Sequence, residues 1–325
     1  MRYFSMFSGI GGFEKGIDQA GATGICIGYS EIDKYAIKVY ERNFSGHRNY
    51  GNATAINAAD LPDFDLLVGG FPCQAFSVAG KRLGFNETRG TLFFDIARIL
   101  KDKRPRHFVL ENVKGLLSHD SGKTFTTIIR VLTDLGYLAE WQVLNSKNFG
   151  VPQNRERVYI VGHLGNECGR KVFPISGQHD ENTGKDEVRE IHPIFKETEK
   201  LSDAFRIRPT SGSATTLKGL GGGMGAKTGL YAIPVLTPDR PEKRQNGRRF
   251  KEDGDPSFTL TGQDKHGVYD GMSIRRLTPL ECERLQGFPD NWTAGESDTQ
   301  RYKMCGNAVT VNTVEAVMRG LMPCL

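Results

Sequence analysis

The 325-residue sequence predicts an α/β fold, a doubly wound and mostly parallel sheet, with a second, smaller β-rich domain after it. Three observations predict this. Short apolar runs such as Leu66-Leu67-Val68 alternate, up to about residue 163, with stretches whose apolar residues recur at helical spacing. Several of these runs end on glycine or on a polar residue, at the strand tips where open α/β sheets collect ligands. Beyond about Glu167 the rhythm stops, charges and glycines multiply, and apolar runs shorten.

Arg2 to Phe7 reads as the first strand, followed by Ser8-Gly9-Ile10-Gly11-Gly12-Phe13 and a helix from about Glu14 to Gln19. A strand, a glycine turn and a helix start let backbone N–H groups approach a polar ligand closely. Gly24 to Tyr29 is the second strand. Glu31 lies just past it, about 20 residues after the glycines, where an acid can accept ribose hydroxyls. The order Gly9-x-Gly11-Gly12 departs from the dinucleotide GxGxxG spacing, so a nucleoside without pyrophosphate fits better. Asp33 to Phe44 is helical, and Gly51-Asn52-Ala53 closes a third strand able to touch a base edge.

Leu66 to Val68 reads as a buried strand ended by Gly69 and Gly70. Pro72 fixes its own φ and keeps Phe71 extended, so the chain is stiff where Cys73 is presented. A strand-end thiol is a candidate nucleophile; a small buried residue is the alternative that this stretch alone leaves open. From Cys73 to Thr91 there is no apolar periodicity, which reads as a long functional loop. Leu92, Phe93, Ile96, Ile99 and Leu100 mark a helix. His107 to Leu110 is a strand carrying Glu111-Asn112-Val113 at its carboxyl end, facing the same crevice as Cys73. Phe125, Ile128, Ile129, Leu132 and Leu135 mark another helix. Tyr137 to Leu144 and Val158 to Gly162 are later strands, with Arg155 and Arg157 just before the second.

In the middle region, Thr216-Leu217-Lys218-Gly219 and Thr259-Leu260-Thr261-Gly262 resemble each other and read as two strand–loop units. Gly221-Gly222-Gly223 suits either a close backbone approach or a plain loop. Helices return near Pro279 to Leu285 and from about Val309 to Met322, the last packing back on the first domain.

Composition narrows the classes. No apolar run approaches the ~20 residues that span a bilayer, and Met1 to Phe7 has no secretory apolar core. Cys26, Cys73, Cys168, Cys282, Cys305 and Cys324 are scattered without a CxxC pair, which speaks against a zinc site or a disulfide framework and for a reducing compartment. The net charge of +5 decides nothing by itself. Arg240, Lys243, Arg244, Arg248, Arg249 and Lys251, however, crowd one Pro/Gly-rich loop and suit phosphate contact.

Taken together, the blocks resemble the DNA (cytosine-5) methyltransferases, nearly all of whose motifs occur here in order. Phe7-Ser8-Gly9-Ile10-Gly11-Gly12-Phe13 is similar to the first block and Gly70-Phe71-Pro72-Cys73-Gln74 to the catalytic one. Arg89-Gly90-Thr91-Leu92-Phe93, Glu111-Asn112-Val113 and Gln153-Asn154-Arg155-Glu156-Arg157 match the next three. Arg276-Leu277-Thr278 through Gly287-Phe288-Pro289, and Tyr302 through Val309, match the last two. The likeness covers about residues 3–165 and 275–320. It implies an S-adenosylmethionine-dependent methyltransferase fold and a catalytic set of Cys73, Glu111, Arg155 and Arg157. S-adenosylmethionine, leaving as S-adenosylhomocysteine, would lie against Phe7, Gly9, Ile10, Gly11, Gly12, Glu31, Ile32, Asn52, Ala53, Pro72, Leu92, Asn307 and Ala308, with no metal. Two departures bear on cofactor affinity: Asn52 stands where many members carry an acid, and Ala308 where some carry serine.

The resemblance further implies double-stranded DNA as partner, contacted by Gln74, Ser77, Lys81, Arg89, Thr216, Leu217, Lys227, Arg248, Arg249, Thr259 and Gln263. It divides the chain into a catalytic domain of residues 1–175 plus 301–325, a target-recognition domain of 176–278 and a return segment of 279–300. The expected protein is a short bacterial or phage modification enzyme, monomeric, cytoplasmic and nucleoid-associated, of the kind that accompanies a restriction endonuclease. The competing readings are a tRNA-modifying relative, a nicotinamide-dependent dehydrogenase and a catalytically silent DNA-binding protein. The intact Pro72-Cys73-Gln74, the absent GxGxxG and the intact Cys73, Glu111 and Arg157 speak against them in turn.

Overall fold

A computed structural model describes residues 1–72, 92–165, 169–177, 207–208, 230–231, 233–238, 250–251, 255–269 and 274–325. Its contacts form two compact units. The first comprises residues 1–145, 156–176 and 308–325, the second residues 146–155 and 177–307.

The first unit is built on a six-stranded sheet of β1 (Arg2–Met6), β2 (Ile25–Ser30), β3 (Leu66–Gly70), β4 (His107–Val113), β5 (Tyr137–Asn145) and β6 (Glu156–Leu164), in the order β2-β1-β3-β4-β6-β5. β1 to β4 pair in parallel; β6 runs antiparallel to both β4 and β5 and is the one reversed strand of this sheet. The mostly parallel expectation thus holds. The central strands read as unbroken apolar runs because helices cover both faces: Leu66, Leu67, Val68, Phe108, Val109 and Leu110 are all fully buried.

On one face Phe4, Met6, Leu67, Phe108 and Leu110 pack with Phe93, Ile96, Ile99 and Leu100 of α3 (Leu92–Lys103) and with Ile128 and Leu132 of α4 (Lys123–Asp134). Alternation along the strands turns Ser5, Val68 and Val109 to the other face. There α1 (Gly12–Gln19) and α2 (Lys34–Asn43) lie, and α1 packs against α7 (Val311–Leu321). α1 and α7 cross so closely that a Cβ on Gly16 would stand 2.5 Å from Val314 Cγ1. α2 starts where it does because the Asp33 side chain accepts from Tyr35 and Ala36 N–H, capping free donors.

The expected third strand at Gly51-Asn52-Ala53 is corrected. Asn49 makes an isolated bridge to Tyr29, and the chain then turns through Gly51 (φ 69°) into a 3-10 helix, Ala53–Ala55. The Asn52 side chain accepts from Thr54 N–H, so local capping diverts the backbone from a ladder. The last helix begins at Val311 and not Val309, because Thr310 is extended and serves as N-cap.

In the second unit, β9 (Ile233–Leu236), β10 (His266–Tyr269) and β11 (Ile274–Arg276) form an antiparallel sheet in the order β11-β10-β9. β7 (Ile207–Arg208) and β8 (Leu230–Tyr231) make a short parallel pair. Leu260, Val268, Leu277, Cys282, Leu285 and Cys305 form a core with α5 (Pro279–Leu285) and α6 (Asp298–Asn307). The sequence reading missed α6, whose buried residues are only Met304, Cys305 and Gly306, too few for a visible apolar stripe. Thr259 to Gly262 is not a strand. The Thr259 hydroxyl donates to Asn154 O and Leu260 N–H to Gln153 Oε1, so these groups find loop partners and not a neighbouring strand. The Thr216 unit lies outside the described residues.

Cys26, Cys282 and Cys305 are free thiols, whereas Cys324 is disulfide-bonded, a departure from the cysteine reading. Among the described residues no helix is long and apolar enough to cross a membrane, and no cluster of three or more His, Cys, Asp or Glu residues could hold a metal.

Candidate active site

The carboxyl ends of β1 to β4 lie side by side in the first unit, and Phe7, Gly9, Gly11, Glu31, Ile32, Pro72 and Glu111 sit on or just past them. β1 runs out through Phe7, which holds a left-handed φ of 55°, into Gly9 (φ 56°) and Gly11 (φ 86°), the N-cap of α1. At Gly11 an added Cβ would stand 2.3 Å from Phe44 Cε2, so only glycine fits. At Gly9 there is nothing within 4 Å of that position, leaving open space above the turn.

β2 delivers Glu31 to the same turn. Its carboxylate accepts from Gly9 N–H at 2.9 Å and from Ile32 and Asp33 N–H at 2.8 Å each. Asn49 holds the residue from behind, accepting from Glu31 N–H and donating to Glu31 O. Ile32 is 72% exposed beside it. The open Gly9 cradle, the pinned acid and the exposed apolar side chain fit a nucleoside with ribose hydroxyls to satisfy and an apolar base face to cover. Asn52 is exposed, with its oxygen accepting from Thr54 N–H; Ile10, Ala53 and Ala308 are buried.

At the tips of β3 and β4, Gly70 pairs in register with Glu111. Glu111 is 7% exposed, and its Oε2 lies 3.3 Å from where a Cβ on Gly70 would stand, so the carboxylate leans over the β3 tip. Its Oε1 is 3.0 Å from Arg157 Nε, an ion pair that makes no aligned hydrogen bond. Register explains the pairing: β6 is antiparallel to β4 and sets Arg157 opposite Val113, two residues from Glu111. Asn112, which the sequence reading did not single out, donates from Nδ2 to Phe71 O at 2.9 Å and ties the β4 tip to the chain leaving β3. Its position in a polar triplet ending an apolar strand was the available signal. The exposed Pro72 follows directly.

Arg155 is placed differently from Arg157. It is 3% exposed in the second unit, where Nη1 donates to Leu260 O and Gly306 O. Asn307 also belongs to that unit, with its Oδ1 2.8 Å from a Cβ built on Gly262. Thr259 is half-buried; Gln263 is exposed in a turn closed by Asp264 N–H donating to the Thr261 hydroxyl. Leu92 is half-buried at the start of α3. Cys73, Gln74, Ser77, Lys81, Arg89, Thr216, Leu217, Lys227, Arg248 and Arg249 lie outside the described residues.

Comparison with known proteins decides the family. The model for C-5 cytosine-specific DNA methylase matches residues 1–322. The chain belongs to this methylase family. The methylase is 40% identical to the type II methyltransferase M1.ScrFI of Lactococcus lactis subsp. cremoris, over 100% of its own length and 78% of that protein's. To the orphan methyltransferase M.SPRI of Bacillus phage SPR it is 36% identical, over 99% and 97% of the two chains. Among solved structures, a Spodoptera frugiperda DNMT2 variant superposes with a TM-score of 0.63 at 19% identity, over 99% of both chains. That likeness shows the fold alone. The methylase is a DNA (cytosine-5-)-methyltransferase, with DNA as its substrate.

Proposed function

We propose that the methylase extrudes one cytosine from duplex DNA within a defined sequence and methylates its carbon 5 through a covalent adduct at Cys73. The observation that supports this reading is the convergence of two strand tips. Glu111 leans over the end of β3, three residues before Cys73 in the sequence, and carries Arg157 at 3.0 Å. Carbon 5 of cytosine is a poor nucleophile. Addition of the Cys73 thiolate to carbon 6 makes the ring enamine-like and places negative charge towards N3 and O2; once carbon 5 is methylated, loss of its proton to solvent expels the Cys73 thiolate and restores the ring. A free thiol titrates near ~8.5, so the pocket must lower that value or a neighbour must take the proton. Glu111 holds N3, by proton or hydrogen bond, as that charge develops, and Arg157 supplies guanidinium donors to O2.

The turn of Gly9, Gly11 and Gly12, with Glu31 on the ribose, would hold S-adenosylmethionine, which when bound supplies a methyl group activated on sulfonium sulfur. Phe7, Ile32, Pro72 and Leu92 would line it. The target carbon is stacked inside a duplex, which is why extrusion is part of the reading. Residues 176–278 would read the major groove, Thr259 and Gln263 among them, while basic side chains hold phosphates. The expected setting is a nucleoid-associated modification enzyme whose site a restriction endonuclease shares. Bisulfite sequencing of DNA from cells expressing wild type or Cys73→Ser tests this. A single methylated sequence context that vanishes in the variant is the expected result. Methylation that persists in the variant, or labelled methyl entering tRNA in place of duplex DNA, refutes the reading.

A further inference from the structure

Behind the glycine turn lies a buried polar chain that the reaction described above does not use. Glu14, on the first turn of α1, is fully buried. The Tyr40 hydroxyl donates to its Oε1 at 3.0 Å and stands 3.1 Å from Nδ1 of His47, which is only half-buried. Glu14 Oε2 makes no hydrogen bond. The same aromatic group touches the turn: Tyr40 stacks on Tyr29 with centroids 3.8 Å apart and meets Phe44 at 5.1 Å. Phe44 is the ring that closes over Gly11, and it stacks on His47 at 5.7 Å. A chain of contacts therefore runs from solvent-edge His47 through Tyr40 to a carboxyl three residues from the turn's left-handed glycine.

This chain can carry a proton. With Glu14 ionised, His47 Nδ1–H donates to the Tyr40 oxygen and the Tyr40 hydroxyl donates to Glu14. With Glu14 protonated, its O–H donates to Tyr40 and Tyr40 donates to an unprotonated His47 Nδ1. Passage between the two states reverses both hydrogen bonds, and the net result is one proton exchanged between solvent at His47 and the buried acid. Burial pushes Glu14 up to about 7, while the Ser5 and Tyr40 hydroxyls and the helix backbone pull it down and Asp18 adds a further upward push. Burial raises the Tyr3 and Tyr40 hydroxyls and pushes the Cys26 thiol up to about 12; the acids nearest the chain are Asp18, which acts on both Glu14 and His47, and Glu41, which accepts from the Tyr29 hydroxyl. Burial also lowers His47 below its ordinary value, against an opposing upward push from Asp18. α7 presents an apolar neighbour, Val314, to this part of α1 at Gly16.

We propose that Glu14 is a positioning residue whose charge, set through the His47–Tyr40 relay, biases the turn towards the sulfonium cofactor over its uncharged thioether product. The proposal rests on the cofactor reading of the glycine turn given above. S-adenosylmethionine carries one more positive charge than S-adenosylhomocysteine, so a carboxylate fixed behind the turn attracts the first and is indifferent to the second.

Calorimetric titration of the unloaded protein with each nucleoside, between about pH 6 and pH 8, tests this. In wild type the affinity ratio of S-adenosylmethionine to S-adenosylhomocysteine should rise roughly threefold or more across that window. In Glu14→Gln the ratio should be flat. In Tyr40→Phe, which keeps the ring but loses the donor to the charged acid, the midpoint should move to higher pH. An independent readout needs no ligand: the infrared carbonyl band of a protonated buried carboxyl should titrate in unliganded wild type and be missing from Glu14→Gln. A flat ratio in wild type, or the same rise in Glu14→Gln, overturns the relay while leaving nucleoside binding intact. Absence of binding by either nucleoside at every pH overturns the cofactor reading and the relay with it.

Discussion

Replacing Glu111 with glutamine separates a catalytic carboxylate from a structural one. The change keeps size and burial, so no cavity forms, and it removes only the charge and the proton. Across 3.0 Å the Glu111–Arg157 attraction is about 5 kcal/mol gross at an effective dielectric of about 20. Desolvation of both groups offsets most of that. The Arg157 side chain is 17% exposed and its Nη1 already donates to Glu156 O, so the guanidinium left behind can be partly satisfied. The net stability loss should be on the order of 1–3 kcal/mol. Loss of a positioned acid at N3 should lower turnover ~10²–10⁴-fold, equivalent to about 3–5 kcal/mol of barrier. The assay is incorporation of labelled methyl into duplex DNA, resolving kcat and KM, beside thermal unfolding of the same preparation. The reasoning is refuted if Glu111→Gln melts earlier yet turns over within a few-fold of wild type; the carboxylate would then only hold Arg157.

Four further outcomes are expected. Cys73→Ala should abolish methyl transfer while duplex binding in a gel-shift assay persists, and near-normal turnover would remove the covalent mechanism. Gly11→Ala forces a side chain into φ 86° and within 2.3 Å of Phe44, so it should destabilise the fold by about 2–4 kcal/mol in denaturant unfolding. Arg301→Met strips the partner from Glu283, which is fully buried with Arg301 Nη2 at 2.9 Å, and should lower stability by about 3–5 kcal/mol by the same measure. Burial pushes His266 down to about 4 from 6.5, so the folded chain binds fewer protons than the unfolded one between those values. Stability should therefore fall as pH drops from 6.5 towards 4 by up to about 3 kcal/mol, and His266→Leu should flatten that slope in pH-dependent melts.

Much of the first unit was legible in the chain because its physics is local. A strand buried on both faces must be a continuous apolar run, as Leu66-Leu67-Val68 is, and a helix on a sheet must repeat its apolar residues every third or fourth position, as α3 does. A left-handed turn jammed against Phe44 must use glycine, so Gly11 announced itself. Errors fell where side-chain hydrogen bonds override backbone preference: at Asn52, which caps a 3-10 turn in place of a strand, and at Thr259, whose hydroxyl serves Asn154.

The sequence by itself determined the strand–helix order, the glycine turn and which polar residues stand at strand tips, because residue periodicity and conformational limits act over a few positions. Only the tertiary structure decided that β6 runs against its neighbours, bringing Arg157 to Glu111 and leaving Arg155, two residues earlier, bonded to Leu260 and Gly306 carbonyls. It alone also joined Glu14, Tyr40 and His47 into one chain. Such partnerships depend on register and packing between segments far apart in sequence, and no local pattern encodes them.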